Sequence, residues 1–295
     1  MSARLHAGRI AASLRDTAGS VRYFARGYRW AAGLGPPPSP PAPSRSGPTG
    51  HLEAYFDAYE EGPGLFKWRH YFDVYERHLS RFRGRPVRMV EIGVFGGGST
   101  RMWRDYLGEE SHIVGIDIDP ACRELASEGV EIRIGDQADR SFWEDFLRSE
   151  PAIDIVLDDG GHTAEQQTVT LEALLPHVSP GGVYMCEDIH GPFHGFHSFV
   201  DGLSRPLNAI GTPDRENPAN DLHRHVAAVH RYPLLTVIEK PMWVAPRFEA
   251  PRHGSEWPEW AAEDARSAES RAAGARTPSA RSSGASQMPR GRGGD

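Results

Sequence analysis

Residues 87–98 read Val87-Arg88-Met89-Val90-Glu91-Ile92-Gly93-Val94-Phe95-Gly96-Gly97-Gly98, and this stretch decides the fold. Its first six residues are a short, largely apolar run, the pattern of a buried strand. The glycines that follow let the backbone turn tightly and approach a ligand. Ser99 can cap a helix whose Met102, Trp103, Tyr106 and Leu107 share one face. Strand, glycine turn and helix together open an α/β unit.

Working outward, strands are predicted over 112–116, 130–134, 153–157 and 183–186, with helical segments over about 120–127 and 142–148 between them. Thr163 and Gln166 form a Thr-x-x-Gln capping box at the head of a further helix, and Pro180-Gly181-Gly182 closes that region. Upstream, Leu65, Trp68, Tyr71, Phe72, Tyr75 and Leu79 predict an amphipathic helix over 65–82. Such alternation implies a doubly wound, mostly parallel sheet. Late in the chain, 226–230 and 234–239 flank a tight connection and can only pair antiparallel. The expected fold is Rossmann-like α/β, seven-stranded, with a C-terminal antiparallel hairpin, as in class I methyltransferases.

Composition sets the limits. The chain has 295 residues, 39% of them apolar and 25% charged, ordinary for a globular protein. Two cysteines, Cys122 and Cys186, exclude a disulfide scaffold and fit a reducing, cytoplasmic setting. No apolar run approaches the roughly 18 residues of a membrane span. The net charge of -7 is unevenly spread. Residues 1–50 carry +6 and residues 261–295 carry +2, leaving 51–260 at -15. An acidic middle lacks the basic footprint of a nucleic-acid binder. The expected layout is an Arg/Pro-rich, largely disordered extension over 1–50, one catalytic domain over 51–250, and a disordered Ala/Arg/Ser/Gly-rich tail over 251–295. Val21, Phe24 and Tyr28 allow a short amphipathic helix inside the first of these.

The glycine spacing departs from Gly-x-Gly-x-x-Gly, which weakens a dinucleotide reading. A carboxylate two residues before the first glycine instead suits S-adenosylmethionine (SAM). Glu91 would hold the methionine end, Gly93 and Gly97 would shape the loop, and Asp117 would accept from the ribose hydroxyls. Asp136 and Gln137 would meet the adenine edge, and Asp158 is counted with the cofactor residues. These groups close successive strands, where ligands bind in such sheets.

Strand four ends Leu157-Asp158-Asp159-Gly160-Gly161-His162 and strand five ends Cys186-Glu187-Asp188. Neighbouring strand ends would gather Asp159, Glu187 and Asp188. Three carboxylates so close need a cation, and an all-oxygen set suits Mg²⁺. Mg²⁺ lowers the pKa of a bound hydroxyl, and His162 could take its proton as general base.

Lys67-Trp68-Arg69-His70-Tyr71, Glu91-Ile92-Gly93-Val94, Asp158-Asp159-Gly160-Gly161-His162 and Glu187-Asp188-Ile189 resemble the Mg²⁺-dependent sugar O-methyltransferases of macrolide antibiotic biosynthesis, the mycinamicin and demethylmacrocin type. The resemblance spans about 55–240. It implies Asp159, Glu187 and Asp188 as metal ligands, His162 as base, SAM as cofactor, and a small hydroxylated acceptor such as a sugar or glycoside. Members of that family carry a folded N-terminal domain that builds their oligomer. Residues 1–50 lack its features, which leaves homo-oligomerisation and the macrolide acceptor open. Three rivals stand beside this reading: a catechol-type O-methyltransferase, an NAD-binding oxidoreductase, and a non-catalytic SAM-binding or scaffold protein. The run His190-Gly191-Pro192-Phe193-His194-Gly195-Phe196-His197 is expected to be a lid or substrate-facing loop, and 203–225 a mobile substrate loop.

Overall fold

A computed structural model describes residues 20–35, 50–208, 221–242, 253, 254, 256 and 258. The readings for 1–19, 36–49, 209–220 and almost all of 251–295 therefore lie outside the described residues. Within the N-terminal stretch, 20–32 is helical, with Val21, Tyr23, Phe24 and Trp30 exposed.

Seven strands form one sheet in the order β3-β2-β1-β4-β5-β7-β6. They are β1 Arg88–Ile92, β2 His112–Asp117, β3 Val130–Ile134, β4 Ile153–Asp158, β5 Val178–Cys186, β6 Ala228–Tyr232 and β7 Leu235–Glu239. The pairs among β1 to β5 are parallel, whereas β7 runs antiparallel to both β5 and β6. The expected sheet and its closing hairpin are both present. The antiparallel β7 separates this sheet from the all-parallel dinucleotide-binding order.

Alternation along each strand sorts side chains between two apolar layers. Met89, Ile155, Leu157, Val183 and Met185 pack beneath the helices His51–Ala58, Arg69–Leu79 and Gly98–Leu107. Val90, Ile92, Val156, Tyr184 and Cys186 pack beneath Arg140–Ser149, Ala164–Leu174 and Gly195–Ser204. This parity also decides where the polar residues point. Glu91 falls on the first face and Asp158 on the second. Asp159 and Glu187 return to the first.

Several boundaries differ from expectation. The helix predicted over 65–82 begins at Arg69, with a 3₁₀ turn at Ser80–Phe82. Residues 59–68 do not continue it because they cross the glycine loop. A Cβ on Gly98 would meet the Gly64 carbonyl oxygen at 2.4 Å, so that crossing requires glycine. Strand β5 runs through Pro180-Gly181-Gly182 instead of starting after it. It does so with a register shift opposite Ile153/Ile155 and with Pro180 exposed, the tolerated setting for a strand proline. Strands β6 and β7 meet at Pro233-Leu234, where Leu234 adopts φ 62°. The histidine-rich run is part loop and part helix, since His194 caps Gly195–Ser204 by accepting from Phe196 N.

Candidate active site

A cleft of about 790 Å³ opens at the C-terminal ends of the parallel strands. Its floor is the glycine loop. Gly93 has φ 89°, and a Cβ there would sit 2.1 Å from the Asp159 carbonyl oxygen. Gly97, at φ 81°, caps the helix Gly98–Leu107. Asp117 holds this loop in place. Its Oδ2 accepts from Val94 N at 2.9 Å and Phe95 N at 3.0 Å, and its Oδ1 accepts from Asp119 N at 2.9 Å. Burial alone would raise its pKa, but these backbone donors hold it below the usual carboxylate range. Asp117 and the exposed Asp136 both line the cleft.

The other residues assigned to the cofactor are placed differently. Gln137 reaches the wall, yet its side chain is fully engaged. Nε2 donates to Asp158 Oδ1 at 3.0 Å and Thr170 Oγ1 at 3.1 Å, and Oε1 accepts from Gly161 N. Asp158 also accepts from Tyr184 OH at 3.1 Å. Burial pushes its pKa up to about 7. It does not line the cleft. The sequence reading set Asp158 beside the cofactor; strand parity turns it into the second apolar layer. Glu91 is likewise fully buried and off the cleft wall. Trp103 Nε1 donates to its Oε1 at 3.0 Å, and the Ser99 side chain also stabilises the charged form of this carboxylate. Burial pushes Glu91 up to about 7 against the pull of Lys67.

At the other end of the cleft, Asp159, Glu187 and Asp188 do gather, but a cation from the chain itself sits among them. Lys67 Nζ donates to Asp159 Oδ2 and to Glu187 Oε2, the latter at 2.9 Å. The lysine side chain is 2% exposed. Burial would lower its pKa, yet Glu187 and Asp159 more than reverse this and hold it above the ordinary lysine value. Tyr75 OH donates to the other oxygen of Glu187. Burial raises Glu187, opposed by Lys67.

Asp188 has a different shell. Tyr71 OH donates to its Oδ1 at 2.8 Å and Trp68 Nε1 at 3.0 Å. Its backbone is left-handed, at φ 52°, a costly conformation for a non-glycine residue and one that clusters at functional sites. Its Oδ2 lies 3.7 Å from His162 Nε2 and 4.0 Å from His190 Nε2. Asp159, His162 and Asp188 each offer one ligand atom within 4.8 Å of the others. Of the three acids, Asp159 and Asp188 are thus the pair that stays open to a metal, with His162 standing beside them. Asp159 and Asp188 are hard oxygen donors beside an open cleft and fit Mg²⁺, which keeps waters among its ligands. Glu187 has both oxygens taken by Lys67 and Tyr75.

Sequence reasoning placed Lys67, Trp68 and Tyr71 in the family resemblance and Trp68, Tyr71 and Tyr75 on an apolar helix face, and gave none of the four a place in the site. Two signals pointed to them. Lys67 is one of two lysines beside 31 arginines, and the odd and even positions of β1, β4 and β5 place Glu91, Asp159 and Glu187 on the face that Arg69–Leu79 covers.

The parallel sheet, its antiparallel hairpin and the cleft over a glycine loop are those of the class I methyltransferase fold. The chain matches the family described as "Methyltransferase domain" over residues 90–189. Its relatives are sugar O-methyltransferases of antibiotic pathways. The chain is 28% identical to demethylmacrocin O-methyltransferase of Streptomyces fradiae over 68% of this chain and 64% of that protein. It is 32% identical to mycinamicin VI 2''-O-methyltransferase of Micromonospora griseorubida over 63% and 54% respectively. Among solved structures it resembles MycE of the mycinamycin pathway, in complex with Mg and SAH, with 28% identity and a TM-score of 0.52 over 60% of this chain and 51% of that one. The chain thus spans about half to two thirds of these proteins' length. Among the described residues no helix is long and apolar enough to cross a membrane.

Proposed function

We propose that the chain is a SAM-dependent, Mg²⁺-assisted O-methyltransferase acting on a hydroxyl of a sugar or similar small polar natural product. The observation that carries this reading is the meeting of His162, Asp159 and Asp188 on the wall of the glycine-loop cleft. The names of the relatives give the acceptor class.

The site residues divide the work. The glycine loop and Asp117 shape the seat for the nucleoside end of SAM, with Asp136 at its far edge. Mg²⁺, held by Asp159 and Asp188, would lower the pKa of the acceptor hydroxyl. His162 takes that hydroxyl proton, and Asp188, whose Oδ2 lies 3.7 Å from His162 Nε2, stabilises the imidazolium that forms. Trp68 and Tyr71 fix Asp188 in turn, so the base faces a pre-set carboxylate. Lys67 and Tyr75 hold Glu187 and keep the acid cluster from repelling itself. SAM seated over the glycine loop would supply the methyl group, its sulfonium giving it to the deprotonated oxygen.

The first test is calorimetric titration of the purified chain with SAM, with NADH as comparison, followed by methyl transfer to glycosides and to catechols with and without Mg²⁺. Saturable SAM binding, inert NADH and Mg²⁺-stimulated transfer to glycosides are expected. No SAM binding would overturn the reading. Transfer to catechols alone would move the acceptor to vicinal phenols.

A further inference from the structure

A second group of metal-type side chains lies away from the cleft. His78 and Glu239 meet where the helix Arg69–Leu79 crosses the hairpin β6–β7, and His230 joins them from β6. Each offers one ligand atom within 4.8 Å of the other two. His78 Nδ1 lies 2.9 Å from Glu239 Oε1, and His230 Nε2 lies 3.5 Å from Glu239 Oε2. The two imidazole rings are 4.9 Å apart. A tetrahedral Zn²⁺ with bonds of about 2.0–2.1 Å sets its ligand atoms about 3.3 Å apart, and each imidazole already stands near that distance from one oxygen of the carboxylate.

Three further features suit a metal. His230 Nε2 is shielded from solvent yet makes no hydrogen bond among the described residues. His78 is itself buried, at 3% exposed. Its Nε2 lies 2.9 Å from Tyr232 OH, the outer contact that fixes the tautomer and orientation of a ligating imidazole. Arg81 Nη1, 3.4 Å from Glu239 Oε1, is the cation facing the cluster, and Arg77 lies over the Tyr232 ring.

The position separates this group from the cleft. Glu239 pairs with Val183, three residues back from the Cys186–Thr236 pair at the cleft end, or about 10 Å along the strand. His78 follows Tyr71 by seven residues, again about 10 Å along the helix.

We propose that His78, His230 and Glu239 form a binding site for a borderline transition cation, with Zn²⁺ the best match to two imidazoles and one carboxylate, a water taking the open fourth position. It clamps the helix that carries Tyr71 and Tyr75 onto the closing hairpin. It differs in ligand chemistry from the oxygen-rich cluster at Asp159 and Asp188.

The test uses the full-length, untagged protein stripped by chelator and titrated with Zn²⁺ against a chromophoric chelator. One tight equivalent is expected in the wild type and in His162→Ala. In the half-exposed variant His230→Gln, affinity should fall by more than about 100-fold, since even an outer-shell change costs about 10–100-fold. Co²⁺ should give the visible absorption of a tetrahedral site in the first two proteins and not in the third. Zn²⁺ should also raise the melting temperature of wild type but not of His230→Gln. Binding lost in His162→Ala and kept in His230→Gln would overturn the proposal by placing the metal in the cleft. Absence of saturable binding at micromolar Zn²⁺ would overturn it outright.

Discussion

The two ends of the cleft are built by different means. The end over β1, β2 and β3 is made of backbone: a glycine loop whose amides are pinned by the Asp117 carboxylate. The end over β4 and β5 is made of side chains, with Asp159, Glu187 and Asp188 held by Lys67, Tyr75, Tyr71 and Trp68. A backbone site tolerates many side chains but not a Cβ. A side-chain site tolerates backbone adjustment but not the loss of a charge. Mutations at the two ends should therefore fail in different ways.

The largest effect is expected at the side-chain end. His162→Ala should lower kcat by about 10²–10⁴-fold while SAM affinity, set at the other end, changes little. Steady-state kinetics beside calorimetry separates the two. Equal losses in both would mean that the ends are not independent.

Lys67→Met should come next. Removing one partner of a buried ion pair costs about 3–5 kcal/mol, because Glu187, 1% exposed, is left without its counter-charge beside the half-buried Asp159. Urea unfolding reads this directly. Added Mg²⁺ should restore part of the loss if Asp159 takes the ion. Wild-type stability in this variant would show that the acids do not depend on the lysine.

Gly93→Ala probes the seam between the ends, since its Cβ would collide with the Asp159 backbone. Overpacking and the positive φ together should cost about 1–3 kcal/mol. SAM binding and turnover should both decline, unlike in His162→Ala. A variant with normal binding and only slower turnover would assign the loop to the chemistry instead of the cofactor seat.

The same division explains what the sequence made legible. Glycines carry local information, so the turn after β1, its helix and the carboxylate closing β2 can be read from neighbours alone. The capping box at Thr163 and Gln166 was equally local and is present. The acid cluster was legible as a gathering of strand ends but not in its wiring. Lys67 meets Glu187 across 120 positions, and it does so only because residues 59–68 leave the helical path to cross the glycine loop. Asp158 and Asp159 are adjacent in sequence and opposite in fate, since alternation sends one to Gln137 and Tyr184 and the other to Lys67. Glu91 shows the same effect: its distance from the first glycine suggests a ligand contact, and its parity turns one of its oxygens to Trp103 Nε1.

Glu91 supports the smallest and most specific prediction. Burial raises its pKa from an ordinary 4.5 to about 7. Between those values the folded protein keeps a proton that the unfolded chain has released, so stability falls as pH rises through that window and levels off above it. Glu91→Gln keeps an oxygen for Trp103 Nε1 and removes the titration. The slope of unfolding free energy between about pH 4.5 and 7 should become shallower but not vanish, because Asp158 is also pushed up to about 7 by burial. At pH 8 the variant should match or exceed the wild type, while at pH 5 the two should converge. An unchanged slope would mean that Glu91 is ionised in the folded protein. Lys67 would then be balancing a third buried charge, which would tie the backbone-built end of the cleft to the side-chain-built end through one ammonium group.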